Sequence, residues 1–197
     1  MNNLASTLTE QGQLDEAAKM QKGVLEKQRH ILGGEHPSTI SAMDNLAITL
    51  GEQGQLDEVA KIQKEVLKKQ RRILGEEHPS TISAMSNLAN MLEEQDQLDE
   101  ATQMQKEVLE KRKRILGEEH PDTISAMDNL ANTLDKHGQL DEAAQMQKGV
   151  LERQRRILGE EHPSTIRAMN NFAITLGDQG QLDEAAKIQM TTFQRPA

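Results

Sequence analysis

Apolar residues in the stretch 38–53 fall at Ile40, Met43, Leu46, Ala47 and Leu50. At about 100° per residue they share one arc of about 120°, as in a helix with one buried face. Gly54 interrupts the pattern, and a second apolar set then runs through Leu56, Val59, Ala60, Ile62, Val66, Leu67, Ile73 and Leu74. The spacing predicts helix A over 38–53 and helix B over 56–74. Pro37 suits a first helical turn, where its missing N–H costs nothing. Either His36 or Ser38 is placed to cap that turn, and Asp122 is the better capping residue in a later copy. Helix B opens on Asp57-Glu58 and closes on Lys68, Lys69, Arg71 and Arg72, each end matched to the helix dipole. Gly75 then stops it.

This pair of helices recurs. His36-Pro37 returns as His78-Pro79, His120-Pro121 and His162-Pro163, a period of 42 residues. The copy from His78 matches the copy from His36 at 30 of 42 positions. Such a period indicates stacked helical units whose core is shared between neighbours. The expected fold is all-α, a right-handed superhelical solenoid forming a single array over 1–197. Its units are 1–35 (truncated), 36–77, 78–119, 120–161 and 162–197. Gly12, Gly138 and Gly180 repeat Gly54, while Asp96 takes that place once, and Asp tolerates a left-handed helix end better than most residues.

The chain starts inside a unit: the run 1–5 aligns with 43–47, and the last helix B drifts off pattern after Gln189. Neither end carries a distinct polar cap, so a piece of a longer array is expected in preference to ends covered by another chain.

Composition narrows the chemistry. Phe172 and Phe193 are the only aromatics, so Leu, Ile, Val, Met and Ala must form the core. The chain has no cysteine, which removes disulfides and thiolate metal sites and is compatible with a reducing, cytoplasmic setting. No run approaches the roughly 18 apolar residues of a membrane span, and the opening residues lack a signal-peptide pattern. A net charge of −9 argues against nucleic acid as partner. The basic clusters alternate with acids and lack stacking aromatics, so they are read as helix ends.

His36, His78, His120 and His162 invite a metal reading. One repeat apart, they stand roughly 10 Å from each other at ordinary helix spacing, whereas zinc ligands lie about 2 Å from the ion. No metal, cofactor or catalytic residue is expected: there is no phosphate-binding glycine motif and no Ser–His–acid spacing.

Helix–turn–helix units with Asn-Leu-Ala in helix A and Gly-Gln-Leu-Asp-Glu entering helix B resemble tetratricopeptide repeats. The 42-residue length and the Leu-Gly-Glu-Glu-His-Pro linker resemble the kinesin light chain type, also found in C-terminal arrays of NLR-like NTPases. Met43 and Leu50 stand where that family often has Trp and Tyr, and Gln63 where Phe is common. Gln21, Gln63, Gln105, Gln147 and Gln189 share that last position, inside the apolar arc, and are expected to form a hydrogen-bonded ladder between units.

The resemblance implies that the arc of helix A opposite its apolar face lines a concave, protein-binding groove. On this arc lie Ser41, Asp44, Asn45, Ile48, Gly51 and Glu52. Asn45 recurs as Asn3, Asn87, Asn129 and Asn171, and kinesin light chains use this Asn to hold a peptide backbone. The competing reading is that each Asn bonds only to the adjacent repeat or to water. Neighbouring positions vary: Asp44 and Asp128 against Ser86, Asn90 and Asn132 against Ile48, and Arg167 against Ser41. The groove's acidic excess implies a neutral or basic segment as partner. Two alternatives stay open: a self-assembling array, as a homo-oligomer joined head to tail or by helix exchange, and the sensor array of a larger NLR-like NTPase.

Overall fold

The computed structural model describes residues 7–8 and 11–193. From Leu14 onward the described residues form nine α-helices and no strand. Helix B of successive units gives α1 (Leu14–Leu32), α3 (Leu56–Leu74), α5 (Leu98–Leu116), α7 (Leu140–Leu158) and α9 (Leu182–Phe193). Helix A gives α2 (Pro37–Glu52), α4 (Pro79–Glu94), α6 (Pro121–Lys136) and α8 (Pro163–Asp178). The aligned opening run with Asn3, and the end of the tail, lie outside the described residues.

The chain divides into two compact units, Met1–Gln97 and Leu98–Ala197. In the first, α1 packs on α2, α2 on α3 and α3 on α4. In the second, the same sequence of contacts runs from α5 to α9, and α6 also touches α8. This is an all-α repeat solenoid fold.

Helix A supplies the largest buried side chains, among them Met43, Leu50, Met85, Leu92, Leu130, Leu134 and Met169. Each such side chain contributes about 1.5–3 kcal/mol when fully removed from water. Methionine and leucine occupy these places without aromatics, and the unbranched, flexible methionine adapts to irregular gaps. Val59, Ala60, Val66 and Leu67 cover them from helix B.

The last turn of helix B departs from the wheel. Ile73 and Leu74 are both 42% exposed, as are their counterparts Ile115, Leu116, Ile157 and Leu158 to a similar degree. Helix B has 19 residues and helix A 16, so its end lacks a full partner.

The histidines, not the residues after the prolines, cap helix A. Nδ1 of His36, His78, His120 and His162 accepts from the backbone N–H two residues on, at 3.1–3.2 Å. Asp122 sits inside the first turn, and its N–H is the donor to His120. The buried Thr39 and Thr165 tie the linker down by donating to the carbonyls of Gly33 and Gly159. Asp96 adopts φ 61°, the left-handed conformation its glycine counterparts adopt.

A polar ladder fastens successive repeats at the other end of helix A. Gln53 donates to Asp15 at 2.7 Å, Gln95 to Asp57 at 3.1 Å and Gln179 to Asp141 at 2.8 Å. His137 replaces the glutamine once and lies 3.3 Å from Asp99. The basic ends of helix B pair with linker acids, as in Arg71–Glu76, Arg155–Glu160, Arg72–Glu35 and Arg156–Glu119.

Candidate interaction groove

In the first unit the polar arc of helix A is carried by α2 and α4. Asn45 is half-buried and Asn87 exposed. A side-chain amide offers two donors and an acceptor. Among the described residues neither side chain is hydrogen-bonded. Asn87 lies where two cavities meet. One, of about 440 Å³, is lined by Asp44, Gln70, Ile73, Leu74, Ser83 and Asn87, among others. The second, of about 490 Å³, is lined by Ile48, Glu52, Gln63, Asn87, Asn90 and Glu94, among others. Asn90 is exposed, and Ile48 is 60% exposed, an apolar surface on a polar arc.

Charge at these cavities is one-sided. Glu35 and Asp44 line the first, Glu52 and Glu94 the second, and neither has a lysine or arginine in its lining. Asp44 is half-buried, and burial pushes its carboxyl up from 3.8 to about 6.

In the second unit the equivalent residues are closed on each other. Asp128 is buried, not exposed as the wheel implies. Asn171 donates to both Asp128 and Asn132 at 3.3 Å, and Gln147 donates to Asn132 at 3.5 Å. Arg167 lies 3.7 Å from the other Asp128 oxygen. Burial raises the Asp128 pKa, while the Asn171 hydrogen bond and the Arg167 charge pull it back. Asn129 is half-buried on the same helix. Asn171 therefore spends its donor on the preceding repeat, whereas Asn87 at the equivalent place does not. One difference between the two sets is visible in the chain: Asn132 supplies an acceptor where Ile48 has none, while Asp44 and Asp128 are alike.

The glutamine series is also corrected. Gln21, Gln63, Gln105 and Gln147 are buried, and Gln189 is exposed. Gln147 bonds within its own helix pair and not to the next repeat. The side-chain oxygens of Gln21, Gln63 and Gln147 accept no hydrogen bond from the described residues. Among those residues no group of three or more His, Asp or Glu side chains is placed to hold a metal ion, and no helix is long and apolar enough to cross a membrane.

Tetratricopeptide repeat models match residues 1–72, 81–122, 123–164 and 165–195. The chain belongs to the tetratricopeptide repeat family. Among solved structures it is similar to the nearly identical TPR-like repeats of a Podosopora anserina kinesin light chain candidate. That likeness has 28% identity over 97% of this chain and 90% of the other, with a TM-score of 0.86. BtubC (BKLC) from P. vanneervenii shares the fold at 20% identity, covering 98% of this chain and 80% of that one, with a TM-score of 0.80. MamA from Desulfovibrio magneticus RS-1 shares it more distantly, at 16% identity over 98% and 90% of the two chains and a TM-score of 0.69. Comparison with curated proteins gives no match. Tetratricopeptide repeats generally serve as protein-interaction or scaffold modules, and this array is similar to kinesin-light-chain-like repeats. The role of Gln70 at the first cavity escaped sequence reasoning: its counterparts Gln28 and Gln154 repeat at the same register, but Arg112 interrupts the series.

Proposed function

We propose that the helix A face of this array binds an extended, neutral or basic segment of a protein partner, with the whole chain 1–197 acting as one array. Asn45, Asn87 and Asn129 hold the segment's backbone, while Asp44, Asn90 and Asn132 tune selectivity along it. Asn171, Asp128 and Arg167 contribute through the closed network they form with each other, which shapes that end of the face.

The observation that carries this reading is Asn87: an exposed amide, without a hydrogen-bond partner among the described residues, between two cavities lined by carboxylates and no basic residue. An amide that both donates and accepts can pair with a peptide group whatever its side chain. Carboxylates on either side favour a cationic segment over an anionic one. The array itself is read as a binding scaffold without catalysis or cofactor.

A library of fluorescent peptides tests this, with each basic peptide paired with its charge-reversed twin. The wild type should retain neutral or basic members, and Asn87→Ala/Asn129→Ala should lose at least tenfold in affinity. Preference for the acidic twins would overturn the charge assignment. Retention that ignores both substitutions would overturn the groove. A mass that grows with concentration and no peptide binding would favour the self-assembling array.

A further inference from the structure

The repeats supply an internal comparison at one point of the groove. Asp44, Ser83 and Asn87 stand 84 residues, two repeats, before Asp128, Arg167 and Asn171. In the later set the carboxylate has a guanidinium 3.7 Å away and an amide donor at 3.3 Å. In the earlier set serine stands in place of the arginine, and beside Asp44 there is a cavity of about 440 Å³ instead of a cation.

A second unsatisfied group, closed off from solvent, borders that cavity. Gln70, at the end of α3, is 8% exposed, and its side-chain oxygen accepts no hydrogen bond from the described residues. A buried carbonyl without a donor is costly, and so is a half-buried carboxylate without a cation. Both line the same space, with Ile73 and Leu74 as an apolar wall. A single ligand group answers all three features. A guanidinium brings five N–H donors in a planar fork, enough to serve a carboxylate and a carbonyl together. Its methylene stem covers apolar side chains while the charged head meets the acid. An ammonium is a compact, more strongly hydrated charge and fits this divided acceptor set less well.

We propose that the space between α2, α3 and α4 is an arginine subsite, in which an arginine of the partner segment meets the Asp44 carboxylate and lays its stem on Ile73 and Leu74, while the Gln70 side chain turns to bring its closed-off carbonyl to the guanidinium. This rests on the groove reading above and names the side chain that the groove selects. Ser83 is the residue that makes room, and Arg167 is the chain's own version of the occupant. With the Asp44 carboxyl held at about 6, the group is charged at neutral pH and available to a cation.

The test uses the full chain and defined probes. N-acetyl-arginine methylamide is titrated by NMR against its citrulline and lysine counterparts. Citrulline keeps the shape and removes the charge. The side-chain amide resonances of Gln70 and Asn87 should move with the arginine probe and at least tenfold less with citrulline. Asp44→Asn should abolish the response. Ser83→Arg should also abolish it, by seating the array's own guanidinium against Asp44 as Arg167 is seated against Asp128; this variant keeps the assay informative if Asp44→Asn fails to fold. Equal shifts with arginine and citrulline, or an arginine response unaffected by Ser83→Arg, would overturn the subsite; equal response to lysine would reduce it to a general cation pocket and overturn the guanidinium assignment.

A short arginine-centred peptide and its glutamine twin separate the two levels. If both peptides bind equally and lose affinity in Asn87→Ala, the groove stands and the subsite fails. If the arginine peptide binds no better than the methylamide and ignores Asn87→Ala, the pocket takes small guanidinium compounds and the groove reading fails.

Discussion

Asp44→Asn should make this protein more stable at neutral pH. The carboxyl is half-buried in α2, and burial raises its pKa from 3.8 to about 6. A shift of about two units corresponds to roughly 3 kcal/mol between the charged and neutral forms. Partial exposure to solvent reduces the effective figure to about 1–2 kcal/mol. The sign follows from linkage. The folded state holds this proton more tightly than the unfolded chain, so the favourable contribution is complete below the unfolded value of 3.8. It is lost as pH rises through the folded value of about 6. Asparagine keeps the shape and never takes the charge. Urea unfolding followed by far-UV circular dichroism, at intervals between about pH 4 and pH 8, isolates the term as the difference between variant and wild type. The difference should be near zero at the acidic end and grow to about 1–2 kcal/mol in favour of Asp44→Asn at the neutral end. Glu35, paired with Arg72, also lines the cavity and is unchanged in both proteins, so it cancels. Asp128→Asn is the control. Burial raises its pKa too, but its carboxylate accepts from Asn171 and lies beside Arg167, which offset part of that rise, so the same substitution should gain less than Asp44→Asn does. An Asp44→Asn protein less stable than wild type by the same amount at every pH would refute the reasoning.

Three further substitutions test the packing account. Gln63→Leu should raise the melting temperature, since the buried oxygen of Gln63 accepts no hydrogen bond from the described residues and such a group costs about 1–3 kcal/mol; a lower melting temperature would show that the oxygen is satisfied. His78→Ala removes the acceptor that caps α4 and should cost about 0.5–2 kcal/mol in thermal unfolding, while His78→Asn should recover most of it. Asp96→Gly relieves a side chain held at φ 61° and should stabilise by up to about 1 kcal/mol, seen as a shift of the urea midpoint to higher concentration.

Much of the fold is legible in the sequence because the repeat does the averaging. Helix B over 56–74 coincides with α3, helix A falls within one residue of α2, and Asp96 adopts the left-handed conformation its place among glycines implies. The wheel loses accuracy where exposure depends on a neighbour. Ile73 and Leu74 belong to the apolar arc by angle but are partly uncovered, because helix A is shorter than helix B. Asp128 belongs to the polar arc by angle but is buried by its contacts with the next repeat, where Asn171 and Arg167 reach back to it. The Gln53–Asp15 ladder joins residues 38 positions apart. Its signal was present in the sequence, as glutamine and aspartate that both recur at 42-residue spacing. The choice of His36 over Ser38, and of His120 over Asp122, as the cap was not legible in the sequence because it depends on a ring nitrogen turning toward the backbone, which residue type alone does not specify.

The central claim is that a partner segment lies on the helix A face, and side-chain amide NMR tests it most directly. A peptide retained from the fluorescent library is added to saturation, and the Asn and Gln amide resonances are compared with those of the free protein. The account predicts shifts at Asn45, Asn87 and Asn129, with Gln53, Gln95 and Gln179 unmoved in their ladder with the aspartates. Shifts confined to the glutamine ladder, with the asparagines silent, would contradict it.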